Sequence, residues 1–129
     1  MRSGAILVVD DDSDFRGMLC RIIRAAGYAA DEAGDGAQAL RVIRADTPDL
    51  LITDILMPRF DGIELISKVR SLFPEVRILA ISGRRLLGAL DILELATKLG
   101  AHATLDKPFD SDELIAKIEQ MLGQAAWQA

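Results

Sequence analysis

Carboxylates, one hydroxyl and one amine stand at or just past the carboxyl ends of short apolar runs in this chain. Asp54 ends the run Leu50-Leu51-Ile52-Thr53 and opens the segment Asp54-Ile55-Leu56-Met57-Pro58-Arg59-Phe60-Asp61-Gly62. Asp10, Asp11 and Asp12 follow Ile6-Leu7-Val8-Val9, Ser82 follows Ile78-Leu79-Ala80-Ile81, and Lys107 comes just after Ala103-Thr104-Leu105. An acid at the end of a buried strand is costly unless something pairs with it. Clustered carboxylates repel one another, and a hard divalent cation relieves that repulsion. Mg2+ takes few carboxylates and keeps waters and phosphate oxygens. An aspartate can attack phosphorus to give an acyl phosphate. A metal, an ammonium and a hydroxyl can each hold one of the equatorial oxygens of the transferred group. The set therefore suits phosphoryl transfer with a divalent cation.

Each residue alone has a plainer reading. An aspartate after a strand usually caps a helix or makes a turn, and Asp12 or Ser13 is expected to cap the first helix. Ser82-Gly83 can be an ordinary turn, and Lys107-Pro108-Phe109 a surface loop. What argues for a site is that all of them recur at matching strand ends.

The elements that must position these groups follow from hydrophobic period. Strands are expected near 5–9, 29–33, 50–53, 77–81 and 103–106, and helices near 13–26, 36–45, 62–73, 88–99 and 111–123. Phe15, Met18, Leu19, Ile22, Ile23 and Ala26 share one face of the first helix; Leu114, Ile115, Ile118, Met121 and Leu122 share one face of the last. Gly27 and Gly100 stand where helices should stop. Pro48, Pro58, Pro74 and Pro108 fall just outside strands, where a missing N–H does least harm. Strict alternation of five strands and five helices means an α/β domain with a parallel sheet covered on both faces. In such a sheet, ligands bind beyond the carboxyl ends of the strands.

At 129 residues the chain is about one domain, expected over 1–124 with a short tail at 125–129. Its net charge of −5 argues against nonspecific DNA or anionic-membrane binding. The start is too short and polar for a signal peptide, and no apolar run reaches the roughly 18 residues of a membrane span. A single cysteine, Cys20, excludes an internal disulfide and suits a reducing, cytoplasmic setting. Cys20 falls off the main apolar stripe of its helix, so a partly exposed, inert thiol is expected.

With these residues in place, the chain resembles the receiver domains of two-component response regulators, close to the stand-alone chemotaxis type. Val8-Val9-Asp10-Asp11, the Asp54–Gly62 segment, Ser82-Gly83 and Lys107-Pro108-Phe109 carry the resemblance, which covers about residues 5–122. It implies a single flavodoxin-like, doubly wound domain with sheet order 2-1-3-4-5. It implies that Asp54 accepts a phosphoryl group from a sensor histidine kinase or a histidine phosphotransfer protein. Asp11, Asp54 and the backbone carbonyl of Leu56 would bind Mg2+, with Asp10 helping through water. Ser82 and Lys107 would hold phosphoryl oxygens. A cis peptide between Lys107 and Pro108 is also implied. The chain would not be an enzyme beyond catalysing its own phosphorylation and dephosphorylation. No DNA-binding or catalytic output domain is expected within it, so it would act as a monomer or weak dimer on an unknown protein, or relay phosphate. The rival is a degenerate receiver serving as a constitutive interaction or dimerisation module; the intact acid pair, Asp54, Ser82 and Lys107 argue against it. A phosphohydrolase with an aspartyl nucleophile would need a second acid where Leu56 stands.

Two departures from the family stand out. Thr104 occupies the position of the family's switch aromatic, and the spacing from Ser82 to Lys107 is longer than usual, with the extra residues placed in Gly83-Arg84-Arg85-Leu86-Leu87-Gly88. In the fourth helix Ile92, Leu95, Ala96 and Leu99 form one apolar stripe, and Leu86, Leu90 and Leu93 lie well around from it. The second stripe is either covered by the inserted loop or offered to a partner, so residues 83–99 are the expected output surface. Gly34-Asp35-Gly36-Ala37-Gln38-Ala39 fits a dinucleotide-binding pattern, but it follows the second strand and Asp35 would repel a pyrophosphate. A turn capping the second helix explains it better. His102, Arg84-Arg85 and Trp127 are given no role.

Overall fold

The computed structural model describes residues 4–83, 86–87 and 90–123, with Phe60, Leu87 and Gly123 as backbone only. Five strands, β1 (Ala5–Val9), β2 (Ala29–Ala33), β3 (Leu50–Asp54), β4 (Arg77–Ser82) and β7 (Ala103–Asp106), form one parallel sheet. Between β4 and β7 lies a small antiparallel hairpin of β5 (Leu86–Leu87) and β6 (Leu90–Asp91). The helices are α1 (Ser13–Ala25), α2 (Gly36–Ala45), α3 (Asp61–Leu72), α4 (Ile92–Leu99) and α5 (Ser111–Ile118). The large sheet runs β2-β1-β3-β4-β7. This is the expected 2-1-3-4-5 arrangement of five parallel strands, its last member numbered seventh because the hairpin intervenes.

Alternate residues along each strand feed opposite cores, as the two-residue period of a strand requires. Leu7, Val9, Leu51, Ile78 and Ala80 pack with α2, α3 and α4. Ile6, Val8, Leu50, Ile52, Leu79 and Ile81 pack with α1 and α5. The central strands run apolar through their middles, with Thr53, Asp54, Arg77 and Ser82 confined to the ends of β3 and β4, because both faces are covered. β2 sits at an edge and carries Asp31 and Glu32, charges that discourage pairing with another chain.

Helix starts follow local chemistry. Asp12 caps α1, its carboxylate accepting from the N–H groups of Asp14 and Phe15. Asp35 caps α2, and Gln38 Oε1 accepts from Gly34 N–H at 2.7 Å, so the glycine pair there is a capping turn. Asp110 and Glu113 make a reciprocal capping box on α5.

Four expectations need correction. Cys20 is fully buried, because α1 packs against β2 as well as the sheet behind it, and burial pushes its thiol up to about 11. The fourth helix begins at Ile92: its first expected turn is the hairpin, held by cross-strand pairing of Leu86 with Asp91 and Leu87 with Leu90. Leu93 joins Ile92 and Ala96 in the core, leaving only Leu86 and Leu90 of that second stripe exposed. The last helix passes at Glu119 into a π-turn that ends at Gly123. Arg84, Arg85, Gly88 and Trp127 lie outside the described residues.

Candidate functional site

The parallel register sets the site. Asp54 is the last residue of β3, level with Ile81 of β4, and Ser82 is the last of β4, level with Asp106 of β7. Lys107 N–H donates to the Ser82 carbonyl at 2.8 Å, which fixes where the lysine stem leaves the sheet. Asp10 follows β1 and is tied to the neighbouring edge strand by its own N–H to the Ala33 carbonyl at 3.3 Å. One side-chain oxygen of Asp10 accepts from Asp12 N–H at 2.9 Å.

These ends bring three acids and an ammonium together. Ligand oxygens of Asp10, Asp11 and Asp54 all lie within 4.8 Å of one another, and Lys107 Nζ is 3.4 Å from Asp10 Oδ2 and 3.9 Å from Asp54 Oδ2. Asp10 is buried, Asp54 is half-buried and Asp11 is exposed, so the cluster opens to solvent on the Asp11 side. Burial pushes the carboxyls of Asp10 and Asp54 above the ordinary carboxylate range, although Lys107 pulls both the other way. Desolvation wins because one ammonium is shared between one buried and one half-buried acid, and each acid also feels its neighbours' charge. Among the described residues no buried side-chain nitrogen or oxygen lacks a hydrogen-bond partner. The shortfall in the cluster is therefore one of charge, which a divalent cation on the Asp11 side would meet. Hard oxygen donors with room for solvent and phosphate oxygens fit Mg2+.

The loop after Asp54 is shaped by Gly62. A Cβ there would lie 2.1 Å from the Asp54 carbonyl oxygen and 2.6 Å from that of Ile55, so the start of α3 rests directly on the backbone of the Asp54 segment. Met57 precedes a short turn, Pro58–Phe60, in which Arg59 takes a left-handed conformation with φ 62°. Leu56 lies beside the site, where its backbone N–H favours the charged Asp54 carboxylate, the weakest of the influences on that group. The Lys107–Pro108 peptide is cis.

A family model described as the response regulator receiver domain matches residues 6–119. The chain belongs to that family. The transcriptional regulator NtrC of Escherichia coli K12 is 34% identical over 122 residues, which is 95% of this chain and 25% of that protein. The response regulator MprA of Mycobacterium ulcerans is 38% identical over 117 residues, 91% of this chain and 49% of that one. The chain thus spans a quarter to a half of the curated relatives it matches. A CheY-like receiver domain protein from Methanospirillum hungatei superposes with a TM-score of 0.87 at 26% identity, covering 98% of this chain and 99% of that one. The receiver domain of NtrX from Brucella abortus gives 0.81 at 33% identity, covering 92% and 98%.

Three residues beside this receiver domain's site have no role assigned to them by the sequence pattern. Asp61 Oδ2 accepts from Gly36 N–H at 2.6 Å and ties the start of α2 to the start of α3. Arg16 donates to the Asp10 carbonyl at 2.8 Å and pairs with Glu32 at 2.9 Å, strapping the acid loop to the edge strand. Phe15 carries Lys107 Nζ 4.1 Å above its ring centroid. Only Asp61, in the first turn of a helix beside an obligatory glycine, left a signal of its type. His102, assigned no role, proves structural: its Nδ1 accepts from Ile78 N–H at 3.0 Å. Thr104 lines a groove of about 520 Å³ with Leu93, Leu105 and Pro108, in the space between α4, β7 and α5. No described helix is long and apolar enough to cross a membrane.

Proposed function

We propose that this receiver domain is a phosphorylation-controlled switch in which Asp54 takes the phosphoryl group. The observation that supports this most is the convergence of the Asp10, Asp11 and Asp54 carboxylates with Lys107 at one end of the sheet. A carboxylate oxygen of Asp54 forms the new bond to phosphorus as the P–N bond of a phosphohistidine breaks, and the departing imidazole takes a proton from water. Lys107 needs only to turn its ammonium from the two acids toward the incoming oxygens, because its backbone is fixed by Ser82. Ser82 supplies a hydroxyl from the adjacent strand end. Asp10, Asp11, Asp54 and the backbone carbonyl of Leu56 would hold Mg2+, which when bound neutralises charge on the transferred group. The donor is a histidine kinase or a histidine phosphotransfer protein, and self-catalysed gain and loss of phosphate is the chain's only reaction. Once phosphorylated, the domain would act by binding a protein or by relaying phosphate.

Intact mass measured after incubation with acetyl phosphate and Mg2+ tests this. A single phosphoryl adduct is expected, absent in Asp54→Ala and suppressed by EDTA. An adduct that survives either change would overturn the assignment.

The output surface we propose is the segment 83–99. Phosphate would draw Ser82 inward and carry Gly83 with it, and Leu86 and Leu90 offer exposed apolar side chains on the hairpin. Thr104 is too small to move a ring in response. Amide exchange compared with and without beryllofluoride should change within 83–99. Changes confined elsewhere would refute this route.

A further inference from the structure

The ammonium of Lys107 is held loosely by its acids. Charge-assisted N–H···O contacts settle near 2.7–2.9 Å, yet Nζ stands 3.4 Å from Asp10 and 3.9 Å from Asp54. The third contact is with Phe15, whose ring centroid is 4.1 Å from Nζ. A ring face attracts a cation through its quadrupole, at about 0.5–2 kcal/mol depending on desolvation. Phe15 is itself fixed. It sits in the first turn of α1, three residues past the capping Asp12, and Phe109 packs against it with centroids 6.1 Å apart and planes at 71°. Phe109 belongs to the same loop as Lys107, so lysine and ring are braced by one segment. A plain core role accounts for the contact with Phe109, but leaves the ammonium over the ring unexplained.

We infer that Phe15 is a positioning residue that holds the Lys107 ammonium back from Asp10 and Asp54, so that the acids stay available to a divalent cation. This rests on the phosphoacceptor reading and adds the residue that sets the balance between lysine and metal. Without the ring face, the ammonium would close onto the carboxylates and compete with Mg2+ for them. A ring of the same shape but weaker quadrupole should have the same effect.

Replacing Phe15 with mono-, di- and trifluorinated phenylalanines keeps the shape and weakens the quadrupole stepwise. Two quantities are then read: the Lys107 side-chain proton shifts in metal-free protein, and the Mg2+ dissociation constant. In the parent, the Lys107 ε-protons should be shifted upfield by the ring, and Phe15→Leu should abolish the shift. The Mg2+ constant should rise stepwise along the fluorinated series, by about three- to tenfold at its end, with melting temperature unchanged. Phe15→Tyr should behave as the parent. A flat Mg2+ constant across the series, alongside a weakened one in Asp11→Asn, would overturn the positioning role and leave the phosphoacceptor reading intact. A parental protein that binds no Mg2+ would overturn that reading instead. The proton shift needs no metal, so its absence would by itself overturn the contact.

Discussion

Replacing Gly62 with alanine should damage both the fold and the site. The added Cβ would meet the Asp54 carbonyl oxygen at 2.1 Å, the Ile55 carbonyl oxygen at 2.6 Å and the Ile55 Cα at 2.7 Å. Carbon–oxygen contacts settle near 3.3 Å, so the Asp54 segment and α3 must part by about 1 Å. Every opposing atom is backbone, so no side chain can swing aside. Overpacking costs about 1–3 kcal/mol, and a backbone clash belongs at the upper end. Alanine recovers about 0.5–1 kcal/mol of helix propensity over glycine. The net loss is about 2 kcal/mol, which at a urea slope near 1.5 kcal/mol/M lowers the unfolding midpoint by roughly 1.3 M. Gly17→Ala is the control: it lies within α1 with nothing within 4 Å of the added atom, so it should stabilise by about 0.5–1 kcal/mol. Because the strain is released through Asp54, the rate of labelling by acetyl phosphate should also fall, by about 10²-fold for a displacement near 1 Å. Equal midpoints for the two variants would refute the close-approach argument. A lowered midpoint with an unchanged labelling rate would refute its link to Asp54.

Ten millimolar Mg2+ should raise the melting temperature, since a ligand held only by the folded form stabilises it, and Asp11→Asn should shrink the rise in parallel scans. Arg59→Gly should stabilise by about 1 kcal/mol in urea melts, because φ of 62° burdens a residue with a Cβ and not glycine. His102 sits below its ordinary value of 6.5, through burial first and the charges of Arg70 and Arg77 second. A depressed folded value means that its contribution is present above pH 6.5 and is lost as pH falls through the folded value. Protonated Nδ1 cannot accept from Ile78. Unfolding midpoints of the parent and His102→Ala should therefore converge as pH is lowered from 7 toward 5.

The sheet and most of the site were legible because both rest on local pattern. Apolar runs separated by helical periods located the five strands to within a residue, and parallel connections then place every strand's carboxyl end at one edge. Asp10, Asp11, Asp54 and Lys107 meet there for that reason alone. What escaped depends on tertiary neighbours. A helical wheel gave Cys20 to the rim, but α1 leans on β2 and its buried arc is wider than one stripe. Leu86 and Leu90 fit a helical spacing as well as they fit a hairpin, since short apolar runs do not distinguish the two. Phe15 read as a core residue because its apolar period says nothing of which cation arrives from a loop more than ninety positions later.

The hairpin has a further implication for how such a chain can vary. A residue gained or lost inside a strand of the large sheet would turn its whole face over, sending one core's side chains into the other. Among the described residues β5 and β6 form a two-stranded sheet of their own, and they lie between the last residue of β4 and the first of α4. Length added there leaves both cores in step. The segment beside Ser82 is thus an expansion joint: sequence can be inserted or exchanged at the rim of the acid cluster while Asp54 and Lys107 keep their registers. Loop grafts meant to retarget this domain belong between Gly83 and Asp91, where a change of length costs the sheet nothing.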